Sequence, residues 1–193
     1  MDRQPRTPSA RIAPDVLDAA LVLLDTEGPD FFTVRAIAAR AGVAPMALYN
    51  HFDGKNGVLE AIWTEGFELL AECVGRQRGE PLDDLRAAGL AYREFALSHR
   101  AHYTVMFIHR FTGFEPSPEA AHVAARAFGA IVAHVERAQR QGLFEARRAP
   151  YVAQMLWSAC HGYSSLDLLN VNFAHDADDA FATLVDALVR GLA

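Results

Sequence analysis

The stretch Thr33–Lys55, TVRAIAARAGVAPMALYNHFDGK, constrains this chain more than any other. Val34, Ile37, Ala38 and Ala41 recur at i, i+3, i+4 and i+7, the spacing of one buried helical face, and Thr33 stands where an N-cap belongs. Gly42 follows, and glycine turns a helix end in the left-handed conformation at little cost. Val43 then plugs the corner, and Pro45 suits the first turn of a second helix through Met46, Ala47, Leu48 and Tyr49. Two short helices joined by a tight turn make a helix-turn-helix, and the second is short enough to enter a DNA major groove. A strand fails here, because alanines dominate and nothing alternates with period two.

The flanking sequence extends this pair into a larger plan. From Pro14 to Thr26, Val16, Leu17, Ala20, Leu21 and Leu24 form an amphipathic helix ended by Gly28-Pro29, which would brace the pair as a three-helix head. Met1 to Ser9, with Arg3 and Arg6 between Pro5 and Pro8, reads as a flexible arm; it either follows a DNA minor groove or is simply a loose terminus. Asp53-Gly54 is a turn signal, after which Val58, Leu59, Ile62, Phe67, Leu69 and Leu70 continue a long helix to about Gly75. The expected division is a DNA-binding head over residues 1–54 and a body over 55–193, joined by a connecting helix over 55–75.

The body repeats helical punctuation. Pro81 opens a helix ending near Ser98; a short segment spans His102 to His109; Ser117-Pro118-Glu119 starts a helix reaching about Gln141 before Gly142. Pro150 opens another through Leu169, and Asp176 to Asp179 cap a last one reaching Leu192. About nine helices and no strand predict an all-α protein.

Composition bounds the function. Apolar residues make up 51% of 193, ample for a sizeable core, and the net charge of −6 argues against a protein that coats nucleic acid indiscriminately. It leaves room for sequence-specific binding, which needs only a few local cations. No run reaches the ~18 apolar residues of a membrane span, and no secretory h-region opens the chain, so a cytoplasmic protein without membrane contact is expected. Cys73 and Cys160 fit neither a metal spacing nor a disulfide framework. His99, His102 and His109 lack a second cluster to complete a zinc site, and Ser158, Ser164, Ser165 and Asp167 show no nucleophile elbow. No metal, cofactor or catalysis is expected.

Ile37, Ala38, Ala41, Gly42 and Val43, then Leu48, Tyr49, His51, Phe52 and Lys55, resemble the DNA-binding signature of the TetR family of transcriptional regulators. Farther on, Tyr92-Arg93-Glu94-Phe95-Ala96, His102-Tyr103 with Met106-Phe107, and Trp157-Ser158-Ala159-Cys160-His161-Gly162 resemble more sparsely the C-terminal domain of TetR-like proteins with a Trp-His-Gly signature. The resemblance implies that Thr33, Tyr49, His51 and Lys55 contact DNA phosphates, and their chemistry fits: hydroxyl, phenol, imidazole and ammonium all donate to phosphate oxygens. Lys55 is the only lysine in the chain. The plainer alternatives are a core aromatic for Tyr49 and a helix C-cap for His51.

Base or groove contacts fall to Arg35, able to reach a guanine edge, and to Pro45, Met46, Ala47 and Asn50 on the second helix. That helix departs from the commoner family pattern, which offers more hydroxyls and cations. Met46 and Ala47 offer only apolar contact, as to a thymine methyl. The effector-pocket candidates are Tyr92, Phe95, His99, Tyr103, Met106, Phe107, Phe128, Trp157 and His161, although an aromatic stripe at helical spacing also describes an ordinary core. The resemblance further implies a homodimer through the last two long helices, a double-stranded DNA operator and a small-molecule effector. The expected function is a repressor released by a hydrophobic or amphipathic molecule. An activator or a ligand-independent regulator is the alternative, and a small helical enzyme or carrier a more distant one.

Overall fold

The computed structural model describes residues 9–144 and 147–192, and among them the backbone forms α1 (Ser9–Thr26), α2 (Val34–Ala41), α3 (Pro45–Phe52), α4 (Lys55–Val74), α5 (Pro81–Ser98), α6 (Arg100–Tyr103), α7 (Pro118–Arg140), α8 (Ala149–Leu168) and α9 (Ala177–Leu192), with no strand. The all-α expectation holds. The arm carrying Arg3 and Arg6 lies outside the described residues. The chain forms two compact units, one of Met1–Gly66 with Ala101–Ala120 and one of Phe67–Arg100 with Ala121–Ala193.

In the first unit, α1 begins before Pro14, which therefore lies inside the helix. Arg11 pairs with Asp15 one turn on at 3.6 Å, and half-buried Ile12 and Ala13 already belong to the packed side. Val16, Ala20, Leu23 and Leu24 of α1 are buried, as are Ile37 and Ala38 of α2, Leu48 of α3, and Val58, Leu59 and Ile62 of α4. Val34 and Ala41, expected on the buried face, are only half-buried; they are the first and last residues of an eight-residue helix.

Local chemistry fixes both ends of the turn. Thr33 is the N-cap, its hydroxyl oxygen accepting from the Ala36 N–H at 3.2 Å. Gly42 takes φ 68°, and Val43 N–H donates to the Ala38 carbonyl at 3.0 Å, closing α2. Beyond α3, Asp53 and Gly54 are both left-handed, and the Gly54 N–H returns to the Leu48 carbonyl at 3.1 Å. The Phe52 carbonyl oxygen then fills the space where a side chain at Gly57 would begin, 1.3 Å from an ideal Cβ. Only glycine fits there.

The segment after α6 contains one turn of π-helix, Thr104–Ile108, and it packs within the first unit. The Met106 sulfur lies against Gly66, and Tyr103 is fully buried. Asn56 donates to the Gly113 carbonyl at 2.8 Å, and the Glu60 carboxylate accepts the Ser117 N–H at 3.3 Å.

In the second unit, α5, α8 and α9 pack on one another and are joined by Arg93. Its guanidinium, largely buried, bonds Asp167 at 2.6 Å and Asp178 at 2.7 Å, over the rings of Tyr163 and Phe181. Asp176 caps α9 by accepting from the N–H groups of Asp178 and Asp179 at 3.1 and 3.0 Å. Buried Asp84 accepts from the N–H groups of Arg78 and Gly79, which, with Arg137, hold its carboxyl below the usual carboxylate range.

Gly57→Ala should cost the first unit about 1–3 kcal/mol, because the new methyl cannot share space with the Phe52 carbonyl and the corner must shift. Chemical denaturation followed by circular dichroism checks this, with the helix-neutral surface change Ala39→Gln as the control.

Candidate nucleic-acid interface and effector chamber

The exposed surface of α3 follows from one buried side chain. Leu48 is fully buried, so the opposite side of the helix faces outward: Met46 is 64% exposed, Tyr49 54%, and Asn50 and His51 are exposed too. Pro45 is exposed at the first turn, and Ala47 is half-buried. Tyr49 is no core aromatic; its ring lies over Gly54, where an ideal Cβ would sit 3.0 Å from Cε1. The C-cap of α3 is Asp53 rather than His51.

Lys55, half-buried, is the first residue of α4. An ammonium there opposes the helix dipole at a cost of roughly 0.3–1 kcal/mol, and no ion pair among the described residues offsets it. An anion bound at the α4 N-terminus would reverse the sign, since free N–H groups and the ammonium converge on it. Thr33 combines two roles without conflict: its oxygen accepts the capping bond while its O–H remains able to donate outward. Arg35 is exposed at the start of α2, whereas Arg40 bonds Glu27 at 3.1 Å and Thr26 at 3.4 Å. All the candidate DNA contacts thus fall in the first unit, exposed except for Ala47 and Lys55.

The effector candidates divide. Tyr103, Met106 and Phe107 belong to the first unit, where Tyr103 and Phe107 pack ring on ring at 4.9 Å. Tyr92, Phe95, His99, Phe128, Trp157 and His161 belong to the second. Of these, Tyr92 and Trp157 line a narrow apolar chamber with Val74, Leu85, Ala88, Gly89, Ile131, Leu156, Cys160, Val185, Leu188 and Val189. Its free volume is about 30 Å³, room for one or two water-sized groups. Phe128 packs on Trp157 at 5.6 Å, while buried Phe95 stacks on His99 at 4.9 Å.

A hydrogen-bonded relay closes one side of the chamber. Trp157 Nε1–H donates to the Tyr92 hydroxyl at 3.0 Å, and that hydroxyl meets His161 Nδ1 at 3.1 Å. Since the phenol oxygen already accepts from Trp157, its own O–H is the natural donor to Nδ1, leaving the His161 proton on Nε2, which faces Ser165 Oγ at 3.5 Å. Burial pushes the His161 pKa down, which suits the neutral ring this relay needs. Burial also pushes the Cys160 thiol up to about 12, so it serves as a small apolar wall. Emphasis on aromatic residues left out most of this lining. The signal was present in ordinary helical spacing, Leu85, Ala88 and Tyr92 on α5 and Val185, Leu188 and Val189 on α9. His102 bonds Glu65 at 3.2 Å, and the described residues contain no group of three metal-ligating side chains.

Comparison with known proteins matches both parts of the chain. Residues 16–62 match the family model "Bacterial regulatory proteins, tetR family", and residues 85–188 match "Tetracyclin repressor-like, C-terminal domain". An uncharacterised HTH-type transcriptional regulator of Mycobacterium tuberculosis, Rv0681, is 30% identical over 180 residues, 92% of this chain and 79% of that protein. Among solved structures, a Rhodococcus protein of unknown function superposes with a TM-score of 0.83 at 24% identity, covering 99% of this chain and 100% of the other. The transcriptional regulator FadR of Bacillus subtilis, solved in complex with stearoyl-CoA, superposes with a TM-score of 0.77 at 16% identity, covering 93% and 99%.

The depressed His161 pKa sets a direction for pH. Below the ordinary value of 6.5 the unfolded chain takes up a proton that the folded ring resists, so stability is lost as pH falls. The melting temperature should drop between about pH 7.5 and about pH 5.5, and His161→Gln should flatten part of that drop. Calorimetry across the range, variant beside parent, measures it.

Proposed function

Because this chain belongs to the TetR family of transcriptional regulators, we propose that it is a homodimeric repressor released from a palindromic operator by a small hydrophobic or amphipathic molecule. The observation that carries this is α4, a single 20-residue helix whose first residue is Lys55 and whose last, Val74, lines the apolar chamber. Two heads set about one DNA turn apart, ~34–36 Å, would enter successive major grooves. Thr33, Tyr49, His51 and Lys55 hold phosphates, while Arg35, Pro45, Met46, Ala47 and Asn50 address the groove.

An effector has to widen the chamber, since ~30 Å³ admits none. Widening moves Val74, and α4 passes that movement to Lys55 and the head. A coupling of ~1–3 kcal/mol suffices for a roughly 5- to 150-fold loss of operator affinity. No charged residue lines the chamber, which favours an apolar body on the ligand. The stearoyl-CoA held by the Bacillus subtilis FadR supports the same class. Among the candidates, Tyr92 and Trp157 act in this chamber, with His161 bonded to Tyr92 and Phe128 behind Trp157; Phe95 and His99 stack on each other, Met106 lies against Gly66 of α4, and Tyr103 packs on Phe107.

The outer side of α8 supports the dimer. Tyr151, Met155, Leu166 and Leu169 are exposed at 61, 50, 46 and 56%, while the inner side buries Val152, Leu156 and Cys160. A helix apolar on two sides is covered on both in its assembly. Small exposed residues on α9, Ala182, Thr183 and Ala187, allow a second helix pair to approach closely.

Two substitutions test separate parts. Tyr49→Phe combined with Lys55→Ala should weaken operator binding at least ~30-fold, because each head then holds phosphate with one hydroxyl and one ammonium fewer, while the melting temperature should not fall, since the α4 N-terminus loses an opposed charge. Gel shift against selected operator DNA measures it, and normal binding would sink the phosphate assignment. Met155→Glu with Leu166→Glu should give a folded monomer in analytical ultracentrifugation; an unchanged dimer would place the interface elsewhere.

A further inference from the structure

The side chains that face away from Leu48 define what α3 can read. At 3.6 residues per turn, Met46 and Asn50 lie two residues either side of Leu48 and so point almost directly opposite the core. They form an i, i+4 pair, about 6 Å apart along the helix, close to two base-pair steps of ~3.4 Å. Nothing else on the helix competes for that line: Ala47 is half-buried, Leu48 buried, and Tyr49 rests over Gly54. The first turn carries no acidic residue, and His51, in the last turn, is the one basic residue of the helix.

These two side chains address different parts of an A·T pair. Asparagine matches adenine through its N6 amino and N7, and an apolar group matches the C5-methyl of thymine. A guanine edge wants arginine or lysine, and a cytosine amino group wants an acceptor; Met46 offers neither, and pressing its thioether on cytosine would strip water from the amino group with no replacement bond.

We infer that the operator half-site places two A·T pairs under α3, one or two steps apart, with a thymine methyl against Met46 and an adenine bonded by Asn50. Any guanine read directly lies toward Arg35, outside this pair. The inference rests on the reading of α3 as the recognition helix.

The test uses the purified full-length protein and selection from random double-stranded DNA at ~150 mM salt. The enriched half-site should contain the two A·T pairs. Replacing each thymine in turn by deoxyuridine, which removes only the methyl group, should reveal one position where affinity falls about 4-fold, the worth of one buried methyl. Met46→Ala should abolish the sensitivity at that position alone. Asn50→Ala should erase a preference of roughly 5- to 150-fold at the adenine while leaving the other positions selected. Because deoxyuridine leaves the protein untouched, misfolding cannot imitate the first result. A selected half-site with G·C under α3, or a deoxyuridine effect that survives Met46→Ala, overturns the inference and leaves the regulator standing. No enriched sequence at all would overturn the regulator and the inference together.

Discussion

The face that α3 presents outward hangs on the burial of Leu48. An eight-residue helix is marginal in water, because the costly nucleus is spread over too few propagating bonds. Fully burying one leucine contributes roughly 1.5–3 kcal/mol, comparable with what such a helix lacks. The ends supply the rest: Pro45 sets the first turn, and the Gly54 N–H closes the last on the Leu48 carbonyl. Gly57 then lets the Phe52 carbonyl approach so closely that α4 starts at a fixed place after α3. With the inside of α3 committed to one residue, its outside is free to carry whatever an operator demands.

Beside the chamber of the second unit the problem is different: three polar side chains stand against an apolar wall without being stranded. Tyr92, Trp157 and His161 satisfy one another, and each such bond is worth about 0.5–1.5 kcal/mol net. That magnitude lies within the ~1–3 kcal/mol of a useful allosteric coupling. Under the proposed function, a ligand that wedged Trp157 away from Tyr92 would need to disturb only one or two bonds to shift the balance of states. The Arg93–Asp167 pair is charge-assisted and buried, and with the exposed Asp178 as second partner the guanidinium holds α5, α8 and α9 together.

Local chemistry explains what was legible in the sequence. Thr33, Gly42, Pro45, Gly142 and Asp176 announced their turns because caps and left-handed positions depend on single residue types. The helix plan and the exposure of the α3 residues follow from spacing around Leu48. The start of α1 was misplaced because Pro14 reads as a beginning, while the Arg11–Asp15 pair and the half-buried Ile12 already lie in the preceding helical turn. The chamber was only half legible: Tyr92 and Trp157 stood out as aromatics, but Val74, Cys160 and Val189 look like any core residues until the helices of the second unit bring them together. The placing of Met106 against Gly66 depends on a turn of π-helix, which no local pattern signals.

The scarcity of cations on the reading face ties the two units to one design. Among the described residues, Arg35 and Lys55 are the formal cations of the helix-turn-helix left outside ion pairs, Arg40 being held by Glu27, and the chain as a whole is acidic. Phosphate neutralisation is the large, sequence-blind part of DNA affinity, so a head with few cations grips random DNA weakly. Its discrimination must come from excluded mismatches, each costing about 1–3 kcal/mol. In the proposed repressor, a head that held its site by so narrow a margin would be released by a coupling of the same size. A more basic recognition helix would bind harder but would need a correspondingly larger signal to let go, and the small relay around Tyr92 has no such energy to give.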